Sequence, residues 1–165
     1  MSMEHRAFVF DYGAFARELL PLLTIALQRN DVTRLLSFVE TNRDELVDPY
    51  EGEPLTVDWR SMLEVEDAHQ VGDFALTKYY DPLLDIGVGD DWLSLREPLR
   101  NVLLGRTVGP PDNPFDPGKM GSYFQSIDET KAAWALVKRL SNVPDIVSEF
   151  YRRALSEPKG LYITF

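Results

Sequence analysis

The alternation of apolar and polar positions divides the chain into short elements of two periods. Arg6-Ala7-Phe8-Val9-Phe10 is β-branched and aromatic, and predicts a strand over 6–10 that stops at Asp11. From Asp11 the period lengthens. Phe15, Leu19, Leu22, Leu23, Ala26 and Leu27 recur at helical spacings, with Asp11 placed to cap the start. Pro21 lies inside that run; proline lacks an N–H and crowds the preceding turn, so a kink or a helix restart is expected there. A cleaner helix, capped by Asp31, is predicted to carry Val32, Leu35, Leu36, Val39 and Leu46 on one face. The tight Asn30-Asp31 connection implies that these two helices pack antiparallel.

The pattern then loosens. Pro49, Gly52 and Pro54 make 47–57 a loop, and Trp59–Leu63 a short helical turn. A helix is predicted near Asp67–Tyr80 in spite of Gly72, followed by a turn-rich stretch through Asp81, Asp85, Gly87, Gly89, Asp90 and Asp91. Pro98 suits the first turn of a helix that runs to Leu104 and Gly105. Residues 105–125 carry so many prolines and glycines that irregular structure is expected throughout.

A capping box, Ser126 with Glu129, opens the next helix, whose inward side is predicted to be Ala133, Leu136, Val137 and Leu140. From Pro144 the positions Ile146, Val147, Phe150, Tyr151 and Ala154 give the cleanest amphipathic stripe in the chain. Leu161–Phe165 reads as a final strand. Two short strands at opposite ends, neither stable alone, predict one shared sheet with the 144–155 helix packed on it. The expectation is therefore a mostly helical α+β fold, one domain over 1–165, whose small sheet includes the N-terminal and C-terminal strands.

The run Ile146-Val147-Ser148-Glu149-Phe150-Tyr151-Arg152-Arg153-Ala154-Leu155, followed by a glycine-containing turn and an apolar last strand, resembles the end of the YfbM-like bacterial proteins. The N-terminal strand and Leu103-Leu104-Gly105 are similar to parts of that family as well. The resemblance implies a small bacterial domain of mixed α and β structure. It lends no catalytic residue, and the middle of the chain departs from the family pattern.

Charge narrows the function classes. Lys and Arg number 17 against 27 Asp and Glu, a net of −10. The excess lies in one place: residues 40–91 hold fifteen carboxylates and only Arg43, Arg60 and Lys78 as cations. Such a field repels nucleic acid and anionic membranes and attracts basic partners or divalent cations. The chain has no cysteine, which excludes disulfides, thiolate metal sites and a cysteine nucleophile and is compatible with a cytoplasmic address. No signal peptide or membrane-spanning helix is expected, because the first apolar run ends at Asp11.

The chemical motifs are few. Gly118-Lys119 lacks the flanking residues of a phosphate-binding loop: Asn113 stands where a glycine is needed and Met120 where a hydroxyl is needed. Glu64, Glu66, Asp67 and His69 surround an imidazole with carboxylates, the donor types for a divalent metal, yet they also suit an acidic helix entrance. The aspartates between 81 and 91 lack the order of a calcium loop and read as turn and cap chemistry. His5 lies near an end expected to move. Within 105–125, Phe115, Met120, Tyr123 and Phe124 either pin the loop to the core or line a recognition surface with Lys119 and Arg106.

The function expected from these features is a non-catalytic protein-binding domain of the inhibitor, immunity or regulatory kind, with a basic protein partner and no cofactor. Its expected contact residues are Phe115, Lys119, Tyr123, Phe124, Glu64, Glu66 and Asp67. The alternatives are a small metal-assisted hydrolase built on His69 and its neighbouring carboxylates, and a structural or oligomeric domain whose acidity serves solubility.

Overall fold

A computed structural model describes residues 3–165. In chain order it has β1 (Arg6–Val9), α1 (Tyr12–Glu18), α2 (Leu20–Arg29), α3 (Thr33–Asn42), α4 (Ala68–Leu76), α5 (Leu99–Val102), β2 (Ser122–Ser126), α6 (Ile127–Val137), α7 (Asp145–Ala154) and β3 (Gly160–Thr164). Asp11 caps α1 by accepting the Ala14 N–H, and the chain restarts as α2 at Leu20 with Pro21 in its first turn.

The terminal strands share one antiparallel sheet, of order β1-β3-β2. The central strand β3 is covered on both faces, which is why Leu161-Tyr162-Ile163 is apolar without alternation. One face presents Phe8, Phe10, Phe124 and Tyr162 to the helices α1 to α4, through Phe15, Leu23, Leu35, Val71 and Phe74. The other presents Ala7, Leu161 and Ile163 to Val147, Phe150, Tyr151 and Ala154 of α7. The result is an α+β fold with its sheet sandwiched between two apolar cores.

Several local expectations are corrected. Irregular structure is expected over 105–125, but 122–126 form β2: Phe124 packs into one core and Tyr123 against the other. The open edge of β3 required a partner, and this five-residue run supplies it. Arg106 exchanges two backbone hydrogen bonds with Phe124, at 3.1 and 2.8 Å, on the outer side of β2. Helix α3 ends at Asn42, and Leu46 reaches the core from an extended residue beyond a 3-10 turn, not from the helical stripe. On α6, Val137 is buried but Leu136 is 43% exposed.

Ile146 is 39% exposed, although Val147, Phe150, Tyr151 and Ala154 are all buried. At about 100° per residue those four already form the inward arc, and Ile146 falls about 40° beyond its edge. Gly72 is tolerated inside α4 because a Cβ there would lie 2.9 Å from both Leu23 Cδ1 and Phe115 Cε2. Close packing needs the missing side chain. His5, expected at a mobile end, is fully buried and stacks on Trp92 at 5.4 Å. Its Nδ1 accepts the Val88 N–H at 3.1 Å, so Nε2 carries the proton and donates to the Leu103 carbonyl at 2.9 Å. Burial lowers its pKa and keeps the ring neutral. Among the described residues, no helix is long and apolar enough to cross a membrane.

Candidate functional site

Helix α4 runs through Val71-Gly72-Asp73-Phe74-Ala75-Leu76, and all six residues are buried. Asp73 is thus a carboxylic acid set into an otherwise apolar helix face, 9% exposed. Among the described residues no N–H or O–H donates to it, and burial pushes its pKa up to about 7. The Arg6 guanidinium opposes that rise but lies beyond ion-pair distance, being held 3.6 Å from Asp85 and over the Phe8 ring. Asp48 makes the useful contrast. It is 2% exposed and accepts the N–H groups of Tyr50, Glu51 and Glu53 at 2.8, 2.7 and 3.3 Å, which fixes the 48–53 loop. One buried carboxyl is fully satisfied and the other has no partner.

Asp73 lines a cavity of about 200 Å³ at the end of the sheet. Phe8 of β1, Tyr162 of β3 and Tyr80 form its wall, with ring centroids 4.9 Å (Phe8 to Tyr80), 5.3 Å (Tyr80 to Tyr162) and 6.2 Å (Phe8 to Tyr162) apart. Burial, and then the nearby Asp73 charge, raise the pKa of both the Tyr80 and Tyr162 hydroxyls, so they remain protonated. Tyr50 stands at the mouth, 66% exposed, with its pKa raised by burial first and then by Asp73, Glu64 and Asp48.

Arg6, Pro49, Thr164 and Phe165 line the cavity as well, and Pro117 and Gly118 form the rim on the loop side. That loop is held from α4, where His69 Nδ1 accepts the Asp116 N–H at 3.0 Å. With Nδ1 so engaged, Nε2 bears the hydrogen and donates to Asn113 Oδ1 at 3.0 Å. Asn113 in turn donates to the Leu27 carbonyl at 3.2 Å, and Asp116 accepts the Gly121 N–H at 3.1 Å.

The structure divides the expected contact residues. Phe115 and Phe124 have no exposed surface and belong to the α1–α4 core, so neither can touch a partner: these two assignments are corrected. Phe115 of the 105–121 loop and Phe124 of β2 are large apolar rings, and burial is the stronger drive. Tyr123 is partly buried against Phe165 on the opposite sheet face. Lys119 is exposed on the turn beyond the cavity rim, with φ at 60°. Arg106 is engaged by Glu129 at 2.9 Å and by the Tyr12 hydroxyl.

Glu66 pairs with Arg60 at 2.6 Å, Asp67 caps α4 by accepting the Gln70 N–H at 2.9 Å, and Glu64 is exposed. With His69 turned to the 113–116 loop, these side chains do not converge, and no cluster of three metal-binding side chains occurs among the described residues. Sequence reasoning missed Asp73, Tyr50, Tyr80 and Tyr162. The available signal was an aspartate flanked on both sides by apolar helix residues.

The acidic region keeps its charge. Of its carboxylates, Glu40, Glu45, Glu66 and Asp85 lie within 4 Å of a cation. None of those ion pairs involves a cation from residues 92–165: Arg106, Arg152, Arg153 and Lys159 pair with Glu129, Glu149 and Glu157 instead. Asp81 is the boundary, sharing a cleft of about 550 Å³ with Arg152, Arg153 and Lys159. In the stretch 50–65, Glu51, Glu53, Asp58 and Glu64 are exposed and unpaired. They are interleaved with Tyr50, Val57, Met62 and Val65, which are 66%, 70%, 46% and 55% exposed. Comparison with family models, curated proteins and solved structures finds no match to the chain.

Proposed function

We propose that the protein is a non-catalytic binding protein that recognises a basic protein partner through the acidic region between Glu40 and Asp91. The observation that carries this reading is the segment 50–65, where exposed apolar side chains are interleaved along the chain with four exposed carboxylates that form no ion pair among the described residues. Exposed apolar groups gathered with a polar rim suit an interaction surface, and a rim of one charge selects partners of the other. The uncompensated field speeds encounter, while Tyr50, Val57, Met62 and Val65 supply the desolvated contact that holds the complex.

The test uses a short peptide of alternating lysine and glycine and the triple charge reversal Glu51→Lys, Glu53→Lys and Glu64→Lys. All three positions are exposed and free of ion pairs, so the fold is retained. Affinity of the unaltered protein should fall steeply with added salt, and the reversed variant should lose binding mainly through slower association. Equal binding by the two proteins would refute the reading.

A further inference from the structure

We propose that the cavity at Asp73 is a pocket for an alkylammonium group, a slim apolar stem ending in a protonated amine. The proposal rests on the preceding reading only for the source of that group, which is then a lysine side chain of the basic partner. A carboxyl buried without a donor is unfavourable unless something completes it, and Asp73 lines a cavity instead of meeting packed protein on every side. An ammonium entering there gains the ion pair and fills the space. The wall is made of the right material: the rings of Phe8, Tyr80 and Tyr162 meet edge and face around the cavity, and aromatic faces attract cations. At about 200 Å³ the space matches one side chain and lies below the range of pockets for larger ligands.

The charges around Asp73 favour a cation over an anion. Arg6, from β1, lines the same cavity and partly offsets Asp73, but its guanidinium is also held by Asp85 and by the Phe8 face. Tyr50 from the 48–53 loop, Tyr80 beyond α4 and Tyr162 from β3 are neutral phenols, and Pro117 and Gly118 add no charge. Glu64 and Asp48 add negative potential near Tyr50, and Asp116 does so near Tyr162. An entering carboxylate would meet Asp73, and the one cation at the cavity wall among the described residues, Arg6, is already 3.6 Å from Asp85.

The experiment is a calorimetric and amide-shift titration of the whole chain with n-butylamine hydrochloride, n-butanol, sodium butyrate and N-acetyl-lysine methylamide. Butylammonium should bind saturably, at least about tenfold more tightly than butanol, with shifts centred on residues 50, 73 and 118. Its affinity should rise by about tenfold per pH unit until Asp73 is ionised and then level off. Asp73→Asn should weaken it about tenfold. Tyr50→Ala, which alters an exposed ring and leaves the fold intact, should weaken it about threefold. Absence of saturable butylammonium binding, undiminished binding by both variants, or equal binding of butyrate would overturn the proposal. Binding of the blocked lysine as tightly as butylammonium identifies a partner side chain as the source. Binding of butylammonium alone keeps the pocket, assigns it to a free amine and removes this anchor from the protein-partner reading.

Discussion

His69 and Asp73 lie one helical turn apart on α4, four residues from each other and therefore on neighbouring positions of one face. His69 holds the 113–118 loop through both ring nitrogens, and Asp73 lines the cavity that this loop rims. A single helix thus sets both the acidic floor of the pocket and the position of its lip.

That coupling predicts the behaviour of His69→Ala. Two hydrogen bonds are lost, leaving the Asp116 N–H and Asn113 Oδ1 without their partners. A stability loss of about 1–3 kcal/mol is expected. Hydrogen exchange should accelerate at Asp116 and Gly121 far more than in β3, because only the loop loses its tether. Uniform acceleration through the chain would show that the ring serves the whole fold.

Asp73 predicts a pH dependence of definite sign. Its folded pKa of about 7 stands above the ordinary 3.8, so the folded state holds a proton that the unfolded state has released over that window. The carboxyl therefore removes stability as pH rises from about 4 to about 7. Asp73→Asn removes that slope. Denaturant unfolding should show the variant gaining on the unaltered protein by about 2–4 kcal/mol between acid and mildly alkaline pH, with no further gain above it. A difference that stays flat with pH would mean that the carboxyl is solvated or paired.

Core and surface on α7 separate in the same way. Phe150 is 2% exposed and packs on His5 and Tyr151, so Phe150→Ala should cost about 3–5 kcal/mol. Ile146→Ala, on the shoulder of the stripe, should cost less than about 1 kcal/mol in thermal or denaturant unfolding. Similar losses at the two positions would place Ile146 in the core.

Much of the fold is legible in the sequence because local chemistry and tertiary packing agree there. The strands near Phe8 and Tyr162 are short, apolar and unpaired within their own neighbourhoods, so each implies the other. Ser126 and Glu129 make both hydrogen bonds of the capping box that their spacing announces. Strand β2 escapes because its five residues follow a long proline- and glycine-rich stretch, and its pairing depends on an edge that exists only after β1 and β3 meet. The site is harder still. An aspartate on a helix ordinarily faces water, and only the packing of Val71, Phe74, Ala75 and Leu76 buries Asp73 beside them. Phe115 and Phe124 show the converse: the sequence leaves core anchor and recognition surface both open for them, and only the assembled core decides for the first.

The central claim, that the acidic stretch is a docking surface for a basic partner, is tested most directly by mapping where a basic chain binds. The isotope-labelled protein, titrated with the lysine–glycine peptide, should show amide shifts concentrated at residues 50–65 and at Asp73, fading as salt is raised. Shifts confined to residues 92–165, or unaffected by salt, would contradict it.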